Sequence, residues 1–200
     1  MISKLQFFLL AALTASACRA AGDWTPLFNG RDLDGWAPRG GAIFTVEDGC
    51  ILGTQTTGKG GDLFTTNSWD NFEIRFTYKV AWPANSGIWY RNDYQFDILK
   101  HPRPVAFSGT LYAPGRIFAA TNTNESLEHR DDWNEGRVFA NGDHLVQWLN
   151  GTKTADIRDS KYKTGKVGIQ VHPGDGMKGM KILIKKIEIR PLVPSDQPAD

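Results

Sequence analysis

One stretch of the chain places a large ring, a cation, an amide and a carboxylate at positions that alternate with apolar residues. Residues 85–99 read NSGIWYRNDYQFDIL, the pattern of two short strands around a polar turn. The side chains on the polar side of this alternation are Trp89, Arg91, Gln95 and Asp97. Such groups can bind sugar hydroxyls, and a flat ring can cover the C–H face of a sugar. The stretch therefore predicts a carbohydrate site, and a surface ion pair beside a partly covered Trp is the alternative.

The length of the turn decides which of these side chains share a face, because a one-residue slip moves a whole strand across the sheet. A two-residue loop would place Asp97 beside Ile88. A three-residue loop at 92–94 pairs Arg91 with Gln95 and Trp89 with Asp97. It leaves one apolar set for the core, namely Ile88, Tyr90, Phe96 and Ile98. Because an unpaired carboxylate in a core costs several kcal/mol, we predict the three-residue loop.

A second candidate group lies at the end of a later apolar strand. Residues 168–174 read GIQVHPG, and alternation directs Ile169 and Val171 to the core. Gln170 and His172 are then predicted to face outward. A histidine beside a Pro-Gly turn, two residues after a glutamine, is a candidate for acid–base chemistry or ligand binding. An ordinary surface histidine is the alternative.

The elements that must position these residues are predicted to be strands. Period-two alternation recurs along the chain and is clearest in residues 72–79, FEIRFTYK. Residues 181–190 fit the same pattern if a bulge lies near 185–186. Asp-Gly, Asn-Gly and Pro-Gly turns separate shorter apolar runs, and the best helix candidate, 124–132, is weak. The pattern predicts an all-β fold, a two-sheet antiparallel β-sandwich or jelly roll.

The N-terminus has the order of features that defines a secretory signal peptide. Lys4 precedes a short apolar run, and small residues follow it. We predict a signal peptide over residues 1–21, with cleavage after 15–17 as the alternative. The apolar run is too short for a transmembrane segment. The protein is thus expected in the bacterial periplasm or secreted, and a lipid anchor on Cys18 is a further alternative.

Charge and cysteine content exclude some classes of partner for the chain that remains after signal-peptide removal. Removal of the signal peptide deletes Lys4 and Arg19 and lowers the formal net charge from +1 to −1. A near-neutral chain lacks the basic footprint of a nucleic-acid-binding protein. Cys50 then stands alone, so neither a disulfide framework nor a Cys/His metal site is predicted. We expect residues 22–193 to form a single domain, followed by a frayed tail over 194–200.

Several motifs together resemble those of the 3-keto-disaccharide hydrolase family, whose members have a concanavalin A-like fold. They occur in the family's order and cover nearly all of the chain after the signal peptide. The family patterns LFNGKDLxGW, NSGIxxR, TGAIY, EWN, LNG and GxIxLQxH are matched or approximated at residues 24–36, 85–91, 108–112, 132–134, 149–151 and 168–172. The resemblance implies a concanavalin A-like jelly roll that acts on glycosides oxidised at C3 of the sugar.

Cleavage of such a substrate needs a base near C2, an electrophile at the ketone oxygen and an acid for the leaving group. We predict that Asp97 and His172 supply the base and the acid, either residue in either role, and that Arg91 and Gln95 hold a hydroxyl or ketone oxygen. The other predicted substrate-binding residues are Trp89, Tyr112, Asn85 and Gln170. The resemblance also implies a divalent metal ion as the electrophile in some family members, and no ligands are assigned here.

The chain departs from the family pattern at the site itself. The pattern YExQxLD is replaced by YQFDILK at 94–100, so the acid and the amide exchange places on one face. The pattern KPxGEWN is replaced by EHRDDWN at 128–134. Two hypotheses follow. One is a hydrolase or lyase of 3-keto-glycosides, and the other is a glycan-binding domain without catalysis.

Overall fold

The computed structural model describes residues 22–199, so the predicted signal peptide at 1–21 and its Cys18 lie outside the described residues. The described chain consists almost entirely of short strands. These are β1 (Thr25–Pro26), β2 (Trp36–Gly40), β3 (Ile43–Glu47), β4 (Cys50–Thr54), β5 (Gly61–Thr65), β6 (Phe72–Ala81), β7 (Asn85–Tyr90), β8 (Tyr94–Pro102), β9 (Val105–Phe107), β10 (Leu111–Ala113), β11 (Arg116–Ala120), β12 (Asn134–Asn141), β13 (His144–Leu149), β14 (Thr152–Arg158), β15 (Gly168–Val171) and β16 (Lys181–Pro191).

The strands form two antiparallel sheets. The back sheet has the order β14-β13-β12-β6-β16-β4-β3, with β1 paired to β16. The front sheet has the order β11-β10-β8-β7-β15-β5-β2, with β9 paired to β8. The predicted all-β fold, a two-sheet antiparallel sandwich, is confirmed.

Alternation on facing strands builds the core between the sheets. Phe72, Ile74, Phe76 and Tyr78 on β6 are buried from the back, and the predicted apolar set of the β7–β8 hairpin is buried from the front. The rings of Phe76 and Phe96 meet edge to face with centroids 5.1 Å apart. Such contacts between large rings stabilise a sandwich core beyond the area that they bury.

The β7–β8 hairpin has a three-residue turn, but it lies one position earlier than predicted. Tyr90 is opposite Tyr94 and Trp89 is opposite Gln95, so the turn is 91–93. The predicted pairs, Arg91 with Gln95 and Trp89 with Asp97, are both wrong. Arg91 adopts a φ of 50°, which a non-glycine residue takes only when its surroundings hold it there. The shift changes pairing by two residues, which leaves the strand residues Trp89, Gln95 and Asp97 on their predicted face and moves Arg91 into the turn.

Two further local features were predicted, a bulge in the last strand and a helix at 124–132. The predicted bulge in β16 is present as a register shift between Ile184 and Lys186. The helix candidate at 124–132 shrinks to one 3-10 turn, Glu125–Leu127, in which Asn124 Oδ1 accepts from the Ser126 N–H. A second 3-10 turn covers Asp175–Met177. None of the helical segments within 22–199 has the length and apolar character needed to cross a membrane.

The C-terminal segment is packed against the back sheet. Asn141 Nδ2 donates to the carbonyl oxygens of Val193 and Asp196, at 2.9 and 3.1 Å. Leu192 is buried in a small cluster with Phe139 and Trp148. These hydrogen bonds hold residues 193–196 beside β12, because the Asn141 amide supplies donors to carbonyls that water would otherwise satisfy.

The core assignment gives a stability prediction. Phe96→Ala should lower the free energy of unfolding by about 3–5 kcal/mol, because it leaves a cavity at the contact with Phe76. Ile43→Ala is the matched control, since Ile43 is 48% exposed and should change stability by about 0.5 kcal/mol or less. Denaturant titration of both variants measures the difference. Equal stability of the two variants would contradict the assignment of Phe96 to the core.

Candidate functional site

A cleft of about 310 Å³ opens on the face of the front sheet that points away from the core; we call it the front cleft. It brings together seven of the eight side chains predicted from the sequence. These are Asn85, Trp89, Gln95, Asp97, Tyr112, Gln170 and His172. Four residues that were not predicted also line it, namely Leu99, His101, Ile117 and Phe118.

Strand register arranges the floor of the front cleft in rows. One row runs across β15, β7 and β8 through Gln170, Gly87 and Asp97. The next runs through Trp89, Gln95 and Tyr112 on β7, β8 and β10. Neighbouring strands lie about 4.8 Å apart, so Gln170 and Asp97 flank a floor roughly 10 Å wide. That width accommodates one sugar ring with polar groups on both sides.

Gly87 creates room in the middle of this floor. A Cβ at this position would lie 2.5 Å from Cδ of Gln95, which is closer than carbon atoms can approach. The Gln95 side chain therefore lies across the β7 backbone. A side chain at position 87 would displace the Gln95 amide from this place, so the glycine of the NSG motif permits the close approach.

Asp97 has an unusual environment for a carboxylate. Its side chain is 3% exposed, and Oδ2 is buried without a hydrogen-bond partner in the described structure. Burial alone raises the pKa of Asp97 well above its usual range, because no cation offsets the lost hydration. Nε2 of Gln95, two residues away on the same face, is also buried without a partner. An acid and an amide donor thus lie side by side with unmet hydrogen-bonding capacity, which calls for a functional explanation.

This environment predicts a gain in stability when Asp97 is made neutral. The folded pKa lies above the unfolded value, so the native state holds a proton that the unfolded chain has released, and stability falls as pH rises through that window. Asp97→Asn should therefore raise the free energy of unfolding at pH 7 and show little gain below the ordinary pKa of about 3.9. Denaturant titrations at both pH values test this, with exposed Asp131→Asn as the control. A loss of stability at pH 7 would contradict it.

Two histidines of the cleft have one ring nitrogen held by a carbonyl group. His172 Nδ1 is 2.6 Å from the Pro173 oxygen, and His101 Nδ1 is 2.8 Å from the Pro104 oxygen. Because a carbonyl oxygen can only accept, each Nδ1 carries the proton and each Nε2 of the neutral ring has a free lone pair. His101 continues the alternation of Gln95 and Asp97. The sequence prediction missed it because the strand was ended at residue 99.

Trp89 and Tyr112 form one edge of the cleft. Their ring centroids are 5.9 Å apart at an interplanar angle of 78°. Trp89 Nε1 donates to Asp62 Oδ1 at 2.7 Å, and Asp62 also pairs with Arg39 at 3.0 Å. The indole is therefore held in one orientation, with the rest of its surface available to a ligand.

Arg91 is the predicted site residue that the structure does not bring to the front cleft. It is 1% exposed, and its guanidinium donates to backbone carbonyls: to Asp70 through Nε and Nη2 at 2.9 and 2.6 Å, and to Gly142 through Nη1 at 2.8 Å. Its guanidinium is thus buried away from the front cleft, where a contact with substrate was predicted. The earlier turn directs this side chain into the protein, where five donors in a planar fork match several carbonyl oxygens.

A structural role for Arg91 predicts a loss of stability without a loss of specificity. Arg91→Ala should lower the free energy of unfolding by about 3 kcal/mol or more, because hydrogen bonds from a charged group are worth about 1.5–3 kcal/mol each. Arg91→Lys should also be destabilised, since a lysine cannot reach the same carbonyls. Arg158→Ala, at an exposed ion pair, is the control. A variant of normal stability with weakened sugar affinity would instead restore the predicted contact with substrate.

The divalent metal ion implied by the family resemblance would need a set of protein ligands. Within residues 22–199, no three His, Cys, Asp or Glu side chains converge as metal ligands. Asp97, His101 and His172 line the cleft without forming such a cluster. The described residues therefore do not fit a metal centre.

A second cleft, of about 370 Å³, lies on the outer face of the back sheet. Its three cations are already engaged: Arg75 Nε is 2.5 Å from Glu188, Lys186 Nζ is 3.0 Å from Glu188, and Arg137 stacks on Trp148 at 3.7 Å. The front cleft is the better candidate site because its floor holds unpaired buried polar atoms.

The two-sheet sandwich defines a concanavalin A-like domain. A solved structure described as a "putative glycosyl hydrolase" of Parabacteroides distasonis superposes with a TM-score of 0.63 and 21% identity, covering 86% of this chain and 94% of that one. The carbohydrate recognition domain of Emp46p superposes with a TM-score of 0.61 and 14% identity, covering 78% and 88%. At these identities the likeness shows the fold.

The chain belongs to the family of 3-keto-alpha-glucoside-1,2-lyase-like domains, whose model matches residues 23–190. A 3-keto-disaccharide hydrolase of Bacteroides thetaiotaomicron is 35% identical over 80 residues, which are 35% of this chain and 28% of the relative. The match thus spans just over a quarter of that protein's length. The family predicted from the motifs is confirmed, and the chain is a carbohydrate-active domain of this type.

Proposed function

We propose that this chain cleaves glycosides whose sugar ring carries a ketone at C3, and that it does so outside the cytoplasm. Family membership and the predicted signal peptide support the proposal. The observation that carries it is the pair of buried, unpaired polar atoms on the floor of the front cleft, Asp97 Oδ2 and Gln95 Nε2. A ligand that offers a donor or acceptor to each would satisfy both.

The ketone determines which bond becomes labile. A carbonyl group at C3 acidifies the hydrogen on C2, so that the leaving group on C1 can depart by elimination. In our proposal the amide N–H of Gln95 donates to the ketone oxygen. A preformed donor at this oxygen stabilises the enolate that develops when C2 loses its proton.

Asp97 and His172 take complementary roles. The raised pKa keeps Asp97 protonated to higher pH than an ordinary carboxyl, so it serves as the acid for the leaving oxygen. Nε2 of the neutral His172 ring, with Nδ1 held by a carbonyl, serves as the base at C2. Strand spacing and rise put the two backbones roughly 12 Å apart, so the side chains can approach one sugar ring from opposite sides.

The proposed reaction is balanced by these two groups and water. His172 takes the C2 proton, and the electron pair forms an enolate at the C3 oxygen. The ketone then reforms as a C1–C2 double bond appears and the C1–O bond breaks, the leaving oxygen taking the Asp97 proton. Water adds to C1 and returns a proton to Asp97, and His172 returns its proton to C2. One glycoside and one water give one 3-keto sugar and one alcohol.

Turnover of a 3-keto-disaccharide by the pure protein tests this function. Asp97→Asn and His172→Ala should each lower kcat by roughly two to four powers of ten, the usual contribution of acid–base catalysis. Wild-type kcat should also fall as pH rises through the raised pKa of Asp97, because the acid loses its proton. Release of free 3-keto-hexose is the measurement.

Matched controls separate catalysis from folding. Asp131→Asn changes an exposed acid, and His144→Ala changes a histidine on the back sheet; both should retain wild-type turnover. If His101→Ala loses turnover while His172→Ala keeps it, the base is wrongly assigned. If wild type cleaves no 3-keto-glycoside, the proposed activity is refuted.

The second candidate is glycan binding without catalysis. It is favoured by the Trp89–Tyr112 edge, which resembles the aromatic platforms on which sugars stack, and by a cleft in which Asp97 is the only carboxyl among the described lining residues. In that case wild type would bind glycans without turnover. Trp89→Ala would then lose affinity while Asp97→Asn gained stability and kept binding.

A further inference from the structure

The front cleft has two unlike sides. Towards β15 and β7 it is lined by amide and imidazole groups, from Asn85, Gln170 and His172. Towards β11, at the edge of the front sheet, it is lined by Ile117 and Phe118. We call these the polar side and the apolar side. Asp97 and Gln95 lie between them on β8.

A strand irregularity creates the apolar side. Leu111 of β10 pairs with Ala120 of β11, and Ala113 pairs with Arg116. Between these two pairs β10 spans two residue steps and β11 spans four. In a regular strand, consecutive side chains point to opposite faces. The extra residues of β11 instead let Ile117 and Phe118 both line the cleft. Bulges next to binding sites commonly redirect side chains in this way.

The exposure of these residues indicates a ligand surface. Ile117 is 64% exposed, the largest value among the exposed large apolar residues of the described chain. Ala119 and Ala120 of the same strand pack against the core instead. The Phe118 ring lies edge-on to His101, with centroids 5.5 Å apart, and His101 is itself held by Pro104. An exposed apolar surface beside a polar cleft floor is typical of a binding site.

We propose that the apolar side is the subsite for the leaving alcohol, and that it prefers an alicyclic or aromatic alcohol to a second sugar. The inference rests on the proposed function, since it assigns the 3-keto ring to the polar side. A second sugar would place hydroxyl groups against Ile117 and Phe118, whose own side chains have no donor or acceptor to offer them. Hydroxyls that lose water without a new partner weaken binding.

Competing substrates test the preference. Cyclohexyl 3-ketoglucosides of both anomeric configurations are compared with 3-keto-disaccharides of the same configurations, in which a glucose replaces the cyclohexanol. Wild type should show a kcat/KM for the cyclohexyl substrate about tenfold or more above that for the disaccharide, the scale on which an apolar pocket discriminates. A preference for the disaccharide overturns the proposal.

Variants then test whether Ile117 and Phe118 cause the preference. Ile117→Asn and Phe118→Ala should each lower the ratio of the two kcat/KM values several-fold. Leaving-group chemistry is identical in every variant, so a change in the ratio reports the subsite. Ile43→Asn is the matched control, because Ile43 is also exposed but lies on the back sheet, and it should leave the ratio unchanged. An unchanged ratio in both cleft variants refutes the assignment.

Binding separates this proposal from the proposed function. Calorimetry with cyclohexyl glucosides and the matching disaccharides needs no turnover. If wild type cleaves nothing, the catalytic proposal fails, yet a several-fold weaker affinity of Ile117→Asn for the cyclohexyl ligand alone still supports the apolar subsite. Equal affinities of wild type and variant for both ligands overturn the subsite, whether or not catalysis is found.

Discussion

The buried guanidinium of Arg91 joins the two sheets at the point that sets the register of the site. It donates to Asp70 and Gly142, which lie beside β6 and β12 of the back sheet, and to Tyr162 at 3.2 Å in the loop before β15. These bonds hold the β7–β8 turn at 91–93. The turn determines that Trp89 is opposite Gln95 and that Gly87 is opposite Asp97. The step from β7 to β8 in each row of the cleft floor follows from this pairing.

Two residues on the floor of the cleft lower the free energy of unfolding. Asp97 and Gln95 bury polar atoms that have no partner in the described structure, and each such atom costs free energy. Packing in the core offsets this loss of free energy, because aromatic rings of the two sheets contact each other, as Phe76 and Phe96 do. A ligand that satisfied the two atoms would recover much of it. Active sites commonly hold groups in such unfavourable environments because reactivity depends on them.

The sequence alone determined the fold class and the face of each strand residue in the hairpin. Period-two alternation is a local property, so it survives an error in turn position: the predicted loop was displaced, yet Trp89, Gln95 and Asp97 lie on the predicted face. The β16 bulge was likewise visible, since two apolar runs were out of phase by one residue. Collinear motifs were sufficient to recognise the family, because they depend on order and spacing only.

Tertiary structure decided what depends on contacts between distant residues. An arginine in an alternating pattern looks like a surface cation, and only carbonyls from the back sheet and the loop before β15 make Arg91 a buried link. Residues 194–196 carry no sequence signal for a partner, and only the structure places the Asn141 amide beside their carbonyls. Ile117 and Phe118 were not singled out in the sequence, and the register shift against β10 lets both line the cleft. Apolar–polar alternation along a strand specifies the sheet face on which each side chain lies. The contacts that the side chain makes there depend on residues distant in the sequence, which only the tertiary structure brings together.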